Sequence, residues 1–118
     1  MANTYTLIAS STVGSGGAAN IEFTSIPATY TDLLIKMSAR AATGGDTFAY
    51  FPNYANTSYN KSFSVDDVSE NNATNAYATL SANLYGSNSA ITSIKIESIN
   101  AANFVQYSNA YLYGISNS

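Results

Sequence analysis

Apolar and polar residues alternate along most of this chain with a period of two. Tyr5, Leu7 and Ala9 alternate with Thr6, Ile8 and Ser10, and Ile21 and Phe23 alternate with Asn20, Glu22 and Thr24. The longest alternation runs from Asp32 to Arg40: Leu33, Ile35, Met37 and Ala39 form one row, Leu34, Lys36, Ser38 and Arg40 the other. Phe48 and Tyr50, Phe63 and Val65, Ile94 and Ile96, and Tyr111, Tyr113 and Ile115 continue the pattern. Successive side chains of an extended chain point to opposite faces. Each segment therefore predicts a strand with one row toward a core and the other toward water or a partner. Ala76–Tyr85 fits two templates. Ala76, Ala78, Leu80, Ala82 and Leu84 alternate cleanly, while Ala73, Ala76, Tyr77, Leu80 and Leu84 also trace a helical stripe. Strand is preferred, because Tyr77, Thr79 and Tyr85 favour it and every neighbouring segment reads as β. A short helical turn is allowed over Ala101–Tyr107.

The breaks between these segments carry turn chemistry. Gly14-Ser15-Gly16-Gly17 reads as a hairpin loop, and Gly44-Gly45-Asp46, Pro52-Asn53-Tyr54-Ala55-Asn56, Asn71-Asn72 and Gly86-Ser87-Asn88 punctuate the rest. About eight short strands with no domain boundary predict an all-β protein, a single-domain antiparallel β-sandwich of jelly-roll type over residues 1–118.

Composition narrows the chemistry. Only 9% of the 118 residues are charged, with a net charge of −3, far below the usual quarter; 17 Ser, 12 Thr and 14 Asn take their place. The absence of Cys and His excludes a disulfide scaffold, a histidine-based triad and a Cys or His metal site within this chain. Four basic residues against seven acidic ones argue against nucleic acid as a partner. No apolar run approaches the ~20 residues that cross a bilayer, and Met1–Tyr5 lacks the basic and apolar regions of a signal peptide. Neither a membrane nor a secretory route is therefore expected.

Four local patterns each have a plain reading. Gly14-Ser15-Gly16-Gly17-Ala18-Ala19 satisfies G-x-G-x-x-A, but a dinucleotide loop must open a helix, and Ile21–Ser25 reads as strand. Asp66, Asp67 and Glu70, followed by Asn71 and Asn72, offer oxygen ligands of the kind calcium takes, yet lack the EF-hand spacing; a solvated loop is the reading adopted. Asp67 and Glu70, close together on that loop, are poorly placed to flank a glycosidic bond. The sequons at Asn56, Asn60 and Asn72 are the number that chance supplies in a chain this rich in Asn, Ser and Thr. No base stands near a nucleophilic serine, and Lys36, Lys61 and Lys95 lie in no Ser-x-x-Lys context, so no enzymatic activity, cofactor, metal or small-molecule substrate is expected.

The aromatic residues say more. Phe48, Tyr50, Phe51, Tyr54 and Tyr59 fall within twelve residues around a Pro-Asn turn, in a chain with ten tyrosines. Tyrosine is enriched at interfaces because its ring packs while its hydroxyl stays wet. These five residues divide between two readings, core rings or a surface for self-association. Ile8 and Leu34, apolar residues on otherwise polar rows, are candidates for a subunit contact.

The segments Thr4-Tyr5-Thr6-Leu7-Ile8-Ala9-Ser10 and Ile26-Pro27-Ala28-Thr29-Tyr30-Thr31-Asp32-Leu33 resemble a family of small structural proteins of aquatic tailed phages, cyanophages included. The likeness continues through Phe51-Pro52-Asn53-Tyr54-Ala55, Lys61-Ser62-Phe63-Ser64, Glu70-Asn71-Asn72-Ala73-Thr74 and Leu112-Tyr113-Gly114-Ile115. It rests on the order of short motifs without catalytic content. Members of that family carry a longer stretch where this chain has only Ala41–Asp46. The resemblance implies a virion component made in the host cytoplasm. It points to a capsid cement (decoration) protein, bound to the outside of the shell as a homotrimer at a junction of major capsid protein subunits. A tail-fibre or spike component that binds the host surface is the alternative, with Tyr54 and Tyr59 beside Asn56 and Asn60 as a sugar platform.

Overall fold

The computed structural model describes residues 4–41, 44–70, 74, 76–98 and 101–116. The Asn71-Asn72 turn and the sequon at Asn72 lie outside them. Eight strands follow in chain order: β1 (Tyr5–Thr12), β2 (Asn20–Phe23), β3 (Asp32–Arg40), β4 (Gly44–Phe51), β5 (Lys61–Glu70), β6 (Ala76–Tyr85), β7 (Ile94–Glu97) and β8 (Asn109–Ile115). They form two antiparallel sheets, one of six strands in the order β1-β8-β3-β4-β5-β6 and one of two, β2-β7. The described residues contain no helix. Over the Ala101–Tyr107 stretch, Ala101 and Tyr107 have φ of 54° and 72°, incompatible with a right-handed turn, and Phe104 instead bridges to Ala18. Ala76–Tyr85 is a strand over its whole length.

The core lies on one face of the large sheet. Leu33, Ile35 and Met37 on β3 pair in register with Gly114, Leu112 and Ala110 on β8 and with Phe51, Ala49 and Thr47 on β4, and all but Thr47 are buried. Ile21 and Phe23 of β2 and Ile94 and Ile96 of β7 join this same cluster, so the small sheet covers the inner face. Each fully buried Leu, Ile or Phe contributes roughly 1.5–3 kcal/mol. Val13, Ile26, Tyr54, Ile91 and Phe104, all from connections, complete the layer. Backbone bonds hold the layers together: Ile91 N–H donates to the Tyr54 carbonyl and Ile26 N–H to that of Thr92, each at 2.9 Å.

The glycine-rich segment after β1 does not make a hairpin. β1 and β2 belong to different sheets, so it crosses between layers, with Gly17 at φ 73° where a side chain would meet the Phe104 carbonyl at 2.9 Å. No helix follows it, which removes the nucleotide-loop geometry. Gly44 and Gly45 open β4 rather than forming the turn before it.

Phe63 and Val65 of β5 still pack against the core, whereas every residue of β6 is exposed or half-exposed, on both faces. The molecule measures 44 × 27 × 26 Å, with a radius of gyration of 15.0 Å against about 13.5 Å for a compact chain of this length. Lys61 anchors the start of β5. It is buried, donates to the carbonyls of Tyr59 (3.4 Å) and Ser87 (3.5 Å), and lies 5.9 Å from the Tyr85 ring centroid.

Candidate functional site

The structure separates the five aromatic residues that lie close together in sequence. Phe51 and Tyr54 are core. Phe51 stacks on Phe63 at 4.8 Å between centroids, 18° from parallel, because β4 and β5 are paired neighbours and both residues face inward. Tyr54 is fully buried. Neither offers a surface to a partner, so both leave the interface set. Tyr54 also cannot stack on a sugar beside Tyr59. Tyr59 is half-exposed in the connection before β5, and Phe48 and Tyr50 lie on the outer face of the large sheet, turned away from the core.

Asp32 explains why the Pro-Asn turn has its shape. It is buried at the start of β3, and its carboxylate accepts from the Asn53 N–H at 2.9 Å and from the Tyr50 hydroxyl. Asn53 holds φ at 50°, a conformation that Asn tolerates better than most residues. The turn then directs the Tyr54 ring into the core, where its hydroxyl donates to the Pro27 carbonyl and accepts from the Tyr30 N–H at 3.4 Å. The hydrogen bond to Asp32, with burial and the carboxylate's charge in support, pushes the Tyr50 hydroxyl up to about 12. Burial pushes the Tyr54 hydroxyl up as well. Both stay protonated, hydrogen-bonding phenols at neutral pH.

Strand order brings distant residues into one open face. Leu7 on β1, Tyr113 on β8, Leu34 on β3 and Tyr50 on β4 are direct cross-strand partners and form a single row. At about 4.8 Å between strands, four side chains span roughly 15 Å. The next row runs Tyr111, Lys36, Phe48, Asp66 and Leu80, with the Lys36 ammonium 5.9 Å from the Phe48 ring centroid. Leu7 and Phe48 keep 52% and 45% of their surface in water, and Leu34, Tyr111 and Tyr113 are half-buried among their neighbours. The small sheet and its core partners all lie on the other side. This face can bind by ring and aliphatic contact, with phenol hydroxyls supplying directional hydrogen bonds; its only charged side chains in these two rows are Lys36 and Asp66.

Leu7, Tyr111 and Tyr113 are absent from the cluster that sequence proximity suggests. A signal exists for the two tyrosines: in Asn109–Ile115 both alternating rows are apolar, so whichever row faces the core, the other must be an apolar surface. Of the two apolar residues on polar rows, Leu34 does lie on the outer face. Ile8 does not, because a register shift between Leu7 and Ala9 turns it to pack against the core.

The acidic cluster is strand, not loop: Asp66, Asp67 and Glu70 all belong to β5. Asp66 and Asp67 are adjacent on a strand and so point to opposite faces, and Asp67 accepts a 2.6 Å bond from the Thr47 hydroxyl. Among the described residues no group of three acidic side chains converges as a metal site would require. Compared with known proteins, the chain matches no family model, no curated protein and no solved structure.

Proposed function

We propose that this chain is a phage virion structural protein, a capsid cement protein that binds the outside of the assembled shell and works by adhesion rather than by catalysis. One observation carries the reading: a six-stranded sheet with a core on one side only, whose other side bears the Leu7–Tyr113–Leu34–Tyr50 row and the Tyr111 and Phe48 rings beside it. The likeness of its ordered motifs to small phage structural proteins supplies the context. We read the six-plus-two arrangement as a lopsided β-sandwich of jelly-roll ancestry, with the second layer reduced to β2 and β7 so that the outer face stays free. The partner is the major capsid protein, and the grouping in threes follows the threefold points of the shell lattice.

Such a protein acts by linkage. Binding only the assembled lattice stabilises it by RT ln(1 + [L]/Kd), about 2.7 kcal/mol per site at a hundredfold excess over Kd. A surface of tyrosine and aliphatic side chains suits this task, because its contacts persist at the salt concentrations that dissolve ion pairs. The fibre reading loses its sugar platform with the burial of Tyr54.

The test is co-sedimentation of the purified chain with expanded shells of the phage that encodes it, and densitometry of whole particles. We expect occupancy in proportion to the major capsid protein, lost in a Leu7→Ser, Phe48→Ser double variant whose thermal unfolding stays that of the parent. Unchanged occupancy in that variant, or a copy number of a few tens per particle, overturns the proposal.

A further inference from the structure

β6 is the outermost strand on its side of the large sheet. An edge strand turns every second N–H and C=O outward, where they can pair with another chain. Natural edges are usually protected by charge, proline, a bulge or short length. β6 has none of these: it is ten residues long, AYATLSANLY, without a charged residue, proline or glycine, and it keeps unbroken register with β5 throughout. Its side chains are open as well, Leu80 at 79% and Leu84 at 68% exposure. The opposite edge, β1, is also uncharged but carries the register shift at Leu7/Ala9 that interrupts regular pairing.

We infer that β6 pairs antiparallel with β6 of a second copy across a twofold axis, joining two six-stranded sheets into one of twelve. The occupant is a second copy because the strand complements itself. With the axis at Leu80, the outer row places Leu80 opposite Leu80, Ala78 opposite Ala82 and Ala76 opposite Leu84. The inner row places Thr79 opposite Ser81 and Tyr77 opposite Asn83. Every outer pair is apolar, the end pairs match small with large, and no like charges meet. The contact is isologous and closes on itself, whereas β6 against β1 of another copy would propagate. The chain exposes 7203 Å² against about 6,100 Å² for a folded monomer of its mass, and Leu80 and Leu84 of β6 are among its most exposed apolar side chains. The two outer faces then continue into one another, doubling the surface proposed to meet the shell. On a lattice, twofold contacts would link neighbouring threefold groups. The inference rests on the self-association part of the reading above, not on the identity of the shell.

The test uses the full chain and charge variants at the axis. Leu80→Lys and Leu80→Glu, at a largely exposed position, should each keep the fold, the glutamate variant somewhat less stably because Asp66 is its cross-strand partner within the monomer, and weaken association roughly tenfold or more, by apolar loss and by like charges brought face to face. Mixing the two in equal amounts should restore the dimer, because lysine of one copy then faces glutamate of the other. Backbone hydrogen exchange gives a second readout: in the monomer every second amide of β6 exchanges fast, and in the dimer all are protected. The inference is overturned if both variants associate like the parent, if mixing restores nothing, or if alternate β6 amides stay fast in the associated state. Dissociation by Leu7→Ser, Phe48→Ser with Leu80 indifferent removes the edge contact and leaves face-to-face association standing. A chain that is monomeric at every concentration removes both. A dimer that pairs through β6 yet never sediments with shells removes the cement reading alone.

Discussion

Tyr54 offers the most demanding test of the fold, because its place in the sequence suits a core ring or an interface and the structure makes it core. Tyr54→Ser deletes a fully buried ring whose hydroxyl donates to Pro27 and accepts from Tyr30. Removing a buried aromatic side chain costs about 3–5 kcal/mol, out of a typical total stability of about 5–15 kcal/mol. Tyr54→Phe keeps the ring and removes only the hydroxyl, for about 1 kcal/mol. Tyr59→Ser, at a half-exposed position close by, should fall within roughly 0.5 kcal/mol of the parent. The assay is urea unfolding followed by circular dichroism. With a slope of about 1.5 kcal/mol per molar urea, the serine variant at position 54 should lose roughly 2–3 M in midpoint and the phenylalanine variant less than 1 M. Equal midpoints for Tyr54→Ser and Tyr59→Ser, at unchanged slope, would refute the placement of this ring in the core.

Further outcomes follow from other contacts. A Cβ at Gly114 would lie 2.4 Å from Cγ and Cδ2 of the Tyr30 ring, so Gly114→Ala should cost about 1–3 kcal/mol by urea unfolding, and adding Tyr30→Ala should make the glycine change nearly silent. The Tyr50 hydroxyl is raised from 10.0 to about 12 by Asp32; the folded state therefore holds this proton more tightly. Its stabilising share is complete below pH 10 and is lost as pH rises toward 12. Tyr50→Phe should flatten that part of the stability curve, and ultraviolet titration should lose one late tyrosinate; an unchanged curve contradicts the Tyr50–Asp32 bond.

The alternation alone located the strands, but not all their ends: Gly44–Asp46 and Asp66–Glu70, which read as turn and loop, are strand. A row such as Leu33, Ile35, Met37 and Ala39 can meet a core only if the backbone is extended, since period two has no helical counterpart, and the observed β3 has the expected bounds. The same logic settled Ala76–Tyr85 once its neighbours were all β. What alternation could not choose was which row faces inward when both are apolar. In Asn109–Ile115 the smaller row, Ala110, Leu112 and Gly114, is buried, and the tyrosines face out. In Gly44–Phe51 the buried row is Ala49 and Phe51, leaving Phe48 and Tyr50 outside. Local spacing likewise grouped Phe48, Tyr50, Phe51, Tyr54 and Tyr59, five residues that the folded chain sends to three places. Only the tertiary structure decided these matters, because insertion of β8 between β1 and β3 is a long-range pairing that no short window encodes. It sets which rows lie at the centre of the sheet and beneath the small β2–β7 layer, and thereby which rings remain open to a partner.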